Sequence, residues 1–110
     1  MSSLFPLLAR TLLAIALAGA VTACGPIEYI TIVTFEASRA VAAAKGVHAD
    51  RLAPYEYTAA VEYLHKAREL GGYSRYHQSV EFGRKSRDFG HQAFELSRGK
   101  SQRPPEEKHE

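Results

Sequence analysis

Tryptophan is absent, and methionine and cysteine occur once each. The single cysteine, Cys24, excludes an internal disulfide, so helix or sheet packing alone must hold the fold. Neither sign of charge dominates: 14 Lys and Arg stand against 12 Asp and Glu. Nucleic-acid binders carry a clear basic excess, and none is present here. The five histidines are His48, His65, His77, His91 and His109. No two are four residues apart, the spacing that sets a pair of imidazoles on one helical face for a metal. No phosphate-binding glycine loop and no nucleophile–base arrangement is visible. These absences argue against an enzyme and against a metal or other cofactor. A partner strand is missing too. Residues 29–35 are rich in β-branched side chains and read as a strand by composition. No second run exists to pair with them, so helix is the better reading and the chain is expected to be all-α.

What the chain does have starts at its N-terminus. Arg10 is the only charge in residues 1–23, and an apolar segment of Leu, Ala and Ile follows it. Small residues Thr22 and Ala23 then lead to Cys24. A charge, an apolar core and a small-residue end are the parts of a secretory signal peptide. A membrane span needs about 20 uninterrupted apolar residues. Arg10 and the pair Gly25-Pro26 bound this run below that length.

Val21-Thr22-Ala23-Cys24 resembles the bacterial lipobox, in which the cysteine is acylated and becomes the first residue of the mature chain. The resemblance implies a cleaved signal at 1–23 and a covalent lipid on Cys24. One acyl chain gives marginal membrane binding, whereas several give a stable anchor. Gly25 follows the cysteine. In Gram-negative sorting an Asp at that place favours inner-membrane retention, so Gly25 implies the outer membrane, facing the periplasm.

Residues 24–110 number 87, enough for one small domain with a limited core. Helices are expected at about 27–46, 54–70 and 75–98. In the first, Ile30, Val33, Ala37, Ala40, Ala44 and Val47 recur at steps of three and four, and Gly46 suits its end. A link follows to Ala53. Pro54 opens the second helix, and Gly71-Gly72 marks a turn. Ser74 suits an N-cap for the third helix, and Gly99 its stop. Residues 100–110 combine two prolines with charge and read as a disordered tail. The module at 24–99 is thus expected as a small three-helix bundle, a long hairpin with one preceding helix.

The second and third helices repeat one pattern. Residues 57–69 align with 76–88 at a shift of 19, with Tyr, Val, Glu, Lys and Arg identical at five places. The repeat marks a seam: Tyr57, Ala60, Leu64 and Ala67 in one helix, and Tyr76, Ser79, Gly83, Ser86, Gly90, Ala93 and Ser97 in the other. Its steps alternate three and four, as in a heptad seam. After Tyr76 every seam residue is small, which suits close approach of another helix.

Ala53-Pro54-Tyr55-Glu56-Tyr57, with Ala60, Tyr63-Leu64, Lys66-Ala67 and Tyr76, resembles the helical module called domain of unknown function 4398. The resemblance spans roughly 35–98 and extends to a tetratricopeptide helix pair. It implies a helical fold in the cell envelope and carries no activity. Two surface features remain. His77, Arg84, His91 and Arg98 fall at seven-residue steps as a candidate partner-contact stripe, though Glu81, Asp88 and Glu95 share that face. Tyr55, Tyr57, Tyr63, Tyr73 and Tyr76 suit packing, or a wet surface for a partner or glycan. The expected role is a lipid-anchored structural or adaptor module. It would hold an envelope protein, or itself, at the membrane. The alternative is a peptidoglycan-binding module using the basic and tyrosine face.

Overall fold

The structure is a computed structural model that describes residues 3–22 and 24–103, without the side chains of 21, 22 and 24. In chain order its helices are α1 Leu4–Thr22, α2 Cys24–Tyr29, α3 Ser38–Gly46, α4 Ala49–Leu52, α5 Pro54–Gly72 and α6 Tyr76–Gln102. Between α2 and α3 the winding continues as a π-helical segment, Ile30–Ala37. These three pieces form one leading helix. Among the described residues there is no strand, and the fold is all-α. The leading helix lies along the α5–α6 hairpin.

Pro54 opens α5, and Ala53 before it is held at φ −138°, as the residue ahead of a proline tends to be. The expected link at 47–53 contains the single turn α4. Its Ala49, together with Ala53, is buried against Ala44 and Ala93. The hairpin turn differs from the expectation. α5 runs through both glycines, and the left-handed residue is Ser74, at φ 59°. The Arg75 N–H donates to the Leu70 carbonyl and the Ser74 N–H to the Gly71 carbonyl, each at 3.0 Å. Those two bonds close a helix in the Schellman manner. Ser74 therefore ends α5 and does not cap α6, whose N-cap is Arg75 with no side-chain bond.

Gly99 does not stop α6, because it does not take the positive φ that a glycine stop requires. The helix continues to Gln102. Lys100 Nζ donates to the Leu52 carbonyl, and the Ser101 hydroxyl donates to the Ser97 carbonyl at 3.0 Å. The tail expected from residue 100 thus starts within a helix, and residues 104–110 lie outside the described residues.

The seam residues are buried, save for the half-buried Tyr57 and Tyr76, and those of α6 divide between two partners. Ser79 Oγ donates to the Ala67 carbonyl at 2.5 Å, and Ser86 Oγ donates to the Ala60 carbonyl at 2.6 Å. Both bonds join α6 to α5. The glycines face the leading helix instead. A Cβ at Gly83 would lie 2.8 Å from Val33 Cγ2, and one at Gly90 would lie 2.9 Å from Ala40 Cβ and 3.0 Å from its carbonyl carbon. One heptad of α6 thus offers a hydroxyl to one neighbour and a gap to the other.

The leading helix keeps its expected face at Val33, Ala37, Ala40 and Ala44 and departs from it at the two ends of the expected set. Ile32, Val33, Ala37, Ala40 and Ala44 are buried, but Ile30 is exposed and Val47 half-buried. The cause is the π-helical segment. Its i→i+5 bonding reduces the rotation per residue, so steps of four at Tyr29, Val33 and Ala37 stay on one face.

Two outcomes follow for urea melts of the chain without residues 1–23. Gly99→Ala, with open space around its Cβ, should gain up to about 1 kcal/mol of helix propensity. Gly90→Ala should lose about 1–2 kcal/mol, because overpacking against the Ala40 backbone outweighs that gain. Equal gains at both sites would mean that the leading helix does not press on Gly90. Separately, Ser74→Gly should stabilise by about 1 kcal/mol by removing the left-handed penalty on a residue with a Cβ. A loss on that change would mean the serine side chain has a role of its own.

Candidate functional site

The anchor candidate, Cys24, begins α2. The next residue is already against the hairpin: a Cβ at Gly25 would lie 3.7 Å from Tyr76 Cβ. Tyr29 packs its ring on Tyr76 at 5.6 Å between centroids and covers Gly71, where any Cβ would strike that ring. Glycine at 71 thus makes room for Tyr29 rather than making the turn. Tyr29 fixes the start of the leading helix to the turn end of the hairpin, about 7.5 Å along the helix from Cys24. Every residue of α1 from Leu4 to Ala20 is exposed. Among the described residues no single helix is long and apolar enough to cross a membrane. The segments Leu4–Ala20 and Gly25–Gly46 pass that test only as a bent pair.

The stripe His77, Arg84, His91 and Arg98 lies on the exposed side of α6, but the structure does not gather it into one basic surface. His77 Nε2 stands 3.6 Å from Glu81, a pair that is ionic only when the imidazole is protonated. Arg84 donates to Glu28 of α2 at 2.5 Å. His91 lines a shallow cavity of about 250 Å³ with Ala40, Ala43, Gly90, Phe94 and Glu95. The Arg98 guanidinium sits 5.9 Å from the centre of the Phe94 ring. Successive members are two turns, about 10.5 Å, apart, and each is engaged differently.

Glu62 and Lys66, Glu81 and Lys85, and Arg84 and Asp88 stand four residues apart on their helices, but each cation takes another partner. Lys66 reaches Glu69 at 3.4 Å. Lys85 Nζ lies over the rings of Tyr63 and Phe82, at 5.6 and 5.3 Å. Arg87 donates to Glu36 at 2.9 Å across to the leading helix and to Asp88 at 3.1 Å. Those bonds, Glu36 first, raise the Arg87 pKa above its ordinary value. The cross-helix pairs Glu28–Arg84 and Glu36–Arg87 were hidden from the sequence because they depend on register. Glu28 and Glu36 meet Arg84 and Arg87 only once Val33 is set on Gly83.

The tyrosines divide as well. Tyr57 packs against the alanine cluster at α4. Tyr63 stacks on Phe89 at 5.6 Å and 19° and lies 5.9 Å from Phe82. Tyr55 meets Phe89 edge-on at 6.2 Å. The result is a row of four partly open rings along one side of the hairpin, with the Lys85 ammonium above it. Tyr73 stands exposed at the turn. Among the described residues no three His, Cys, Asp or Glu side chains gather as a metal would need.

A double-mutant cycle on Glu36→Gln and Arg87→Gln should give a coupling of about 0.5–1 kcal/mol, the upper range for a partly exposed ion pair. It should shrink at high salt. A coupling of zero would mean that this ion pair does not help to set the leading helix. No family model, no curated protein and no solved structure matches the chain. The resemblance to domain of unknown function 4398 therefore gains no support from these comparisons, and function rests on the residues.

Proposed function

We propose that the chain is a lipid-anchored lipoprotein of the cell envelope, a structural or adaptor module on the periplasmic face of the outer membrane. The observation that carries this reading is the relation of α1 to the rest. Its residues from Leu4 to Ala20 are exposed, and in the sequence the apolar run leads to Val21-Thr22-Ala23-Cys24. A segment that adds nothing to the packed core is one whose removal leaves that core intact. What remains begins at Cys24 and is braced within two turns by Tyr29 against Tyr76. Such a module transmits force or position from a lipid to a partner without chemistry of its own. Its partner is an envelope protein or a second copy. Membership in a family like domain of unknown function 4398 belongs to the same proposal.

The second reading, peptidoglycan binding, is favoured by the ring row and not by the histidine–arginine stripe. Tyr55, Tyr63, Phe82 and Phe89 present flat apolar faces next to a cation, the setting in which sugar rings stack. Cys24→Ser separates the anchor from everything else. Wild-type chains should take up a palmitate analogue and fractionate with membranes. Cys24→Ser chains should be unlabelled and either unprocessed or released. An unlabelled wild type ends the anchor reading. Sedimentation with purified peptidoglycan, lost in Tyr63→Ala, would move the role from adaptor to wall binder.

A further inference from the structure

The leading helix has two unlike sides. Its inner side is packed on α6. Its outer side shows Ile27, Ile30 and Phe35, which are 61, 48 and 55 % exposed. These are large apolar groups, open to water in the turns directly after Cys24. They lie close to one line because the π-helical segment turns Ile30 out and Val33 in. Two threonines, Thr31 and Thr34, are exposed among them, and the Thr31 hydroxyl donates to the Ile27 carbonyl at 3.1 Å. Removing that hydroxyl from water therefore costs little.

On this helix the acids are paired and the bases are not. Residues 25–46 carry two acids and two bases, Glu28, Glu36, Arg39 and Lys45. Both acids turn to α6 and are neutralised there by Arg84 and Arg87. Arg39 and Lys45 are exposed and have no acidic partner within ion-pair distance among the described residues. The exposed apolar residues near Cys24 are therefore followed along the helix by two unpaired cations, Arg39 at the edge of the groove it lines with Glu36 and Arg87, and Lys45 in the last turn. Elsewhere the exposed faces of α5 and α6 mix both signs.

We infer that the outer side of the leading helix rests on an anionic lipid surface, so that the module lies along the bilayer instead of standing away from it. Interfacial helices combine an apolar face with Lys and Arg in this way, and anionic lipid adds electrostatic attraction. Arg39 lets its methylene stem follow the apolar surface while its guanidinium reaches phosphate. Continuity selects lipid over a protein occupant: the apolar side begins next to the residue that the anchor reading places at the membrane. The inference rests on that reading for its geometry. Its consequence is orientation, with the ring row of the hairpin turned towards the periplasm.

The absence of tryptophan makes a direct test available. Phe35→Trp, and His65→Trp on the exposed side of α5, each give a chain with one indole. Each chain is purified from cell membranes and reconstituted into phosphatidylethanolamine–phosphatidylglycerol vesicles whose acyl chains carry bromine. Phe35→Trp should lose most of its fluorescence and shift to the blue, and His65→Trp should keep its emission. Exchanging phosphatidylglycerol for phosphatidylcholine, or adding Arg39→Glu with Lys45→Glu, should restore much of the lost signal. Quenching of Phe35→Trp no greater than that of His65→Trp overturns the inference. So does a blue shift without quenching in a chain that elutes as a dimer, which would assign the face to a second copy. Palmitate-analogue labelling of the same preparations reads the anchor separately. Labelled chains left unquenched overturn this orientation and leave the anchor standing. Unlabelled chains that are quenched do the reverse.

Discussion

Two backbones approach α6 closely, and almost every other feature adjusts to that approach. Residues with small side chains bury little apolar area, so alanine, serine and glycine contribute little to a core through transfer alone. What they allow is contact between backbones, where dispersion accumulates over many atom pairs. The Ser79 and Ser86 hydroxyls then reach carbonyls of α5 that larger residues would hold out of range. Ser97, the last buried serine, has no such partner for its hydroxyl. It lies where α5 has ended and α4 has taken its place. The hydroxyl bonds thus stop where the helix pair stops, and Ala49 of α4 with Ala53 takes over the packing.

The repeat and the pairing are one property. A shift of 19 carries Ala60 onto Ser79 and Ala67 onto Ser86. Applied to the antiparallel pair, it exchanges the two hydroxyl–carbonyl bonds. Tyr63 is carried onto Phe82, and those two rings touch each other. The hairpin therefore has an approximate two-fold axis close to that ring contact. The leading helix breaks the symmetry. It presses on Gly83 and Gly90, whose counterparts in α5 under the same shift are Leu64 and Gly71. Leu64 has a full side chain, buried with Val33 and Ala37. Gly71 is empty like its counterpart, but a tyrosine ring fills the space instead of a helix backbone.

The helical class, the hairpin and the α6 seam were legible because spacing of small residues is a local signal. Pro54 also opened its helix as composition suggested. The turn was not legible: Gly71-Gly72 carries a strong turn signal, but Tyr29 needs the space above Gly71, and the left-handed position fell to Ser74. Gly99 was misleading for a related reason, since a glycine without positive φ is only a weak helix residue. At residues 24–37 the count of threes and fours found Val33 and Ala37 but placed Ile30 with them, because a π-helical segment leaves no mark in such a count. The residues at 77, 84, 91 and 98 do share one exposed face. Which of them are engaged depends on Glu28 and Phe94, and so on tertiary register.

The wide turns at Ile30–Ala37 set a direction as well as a face. Everything before them is carried at an angle fixed by how many residues they contain. With one residue deleted from them and their wide winding kept, residue 24 would swing by about a quarter turn around the helix axis. The Tyr29 ring would then leave Gly71 and point to solvent. In this chain the azimuth of the N-terminal attachment is encoded as a residue count, a quantity altered by insertion or deletion far more readily than by substitution.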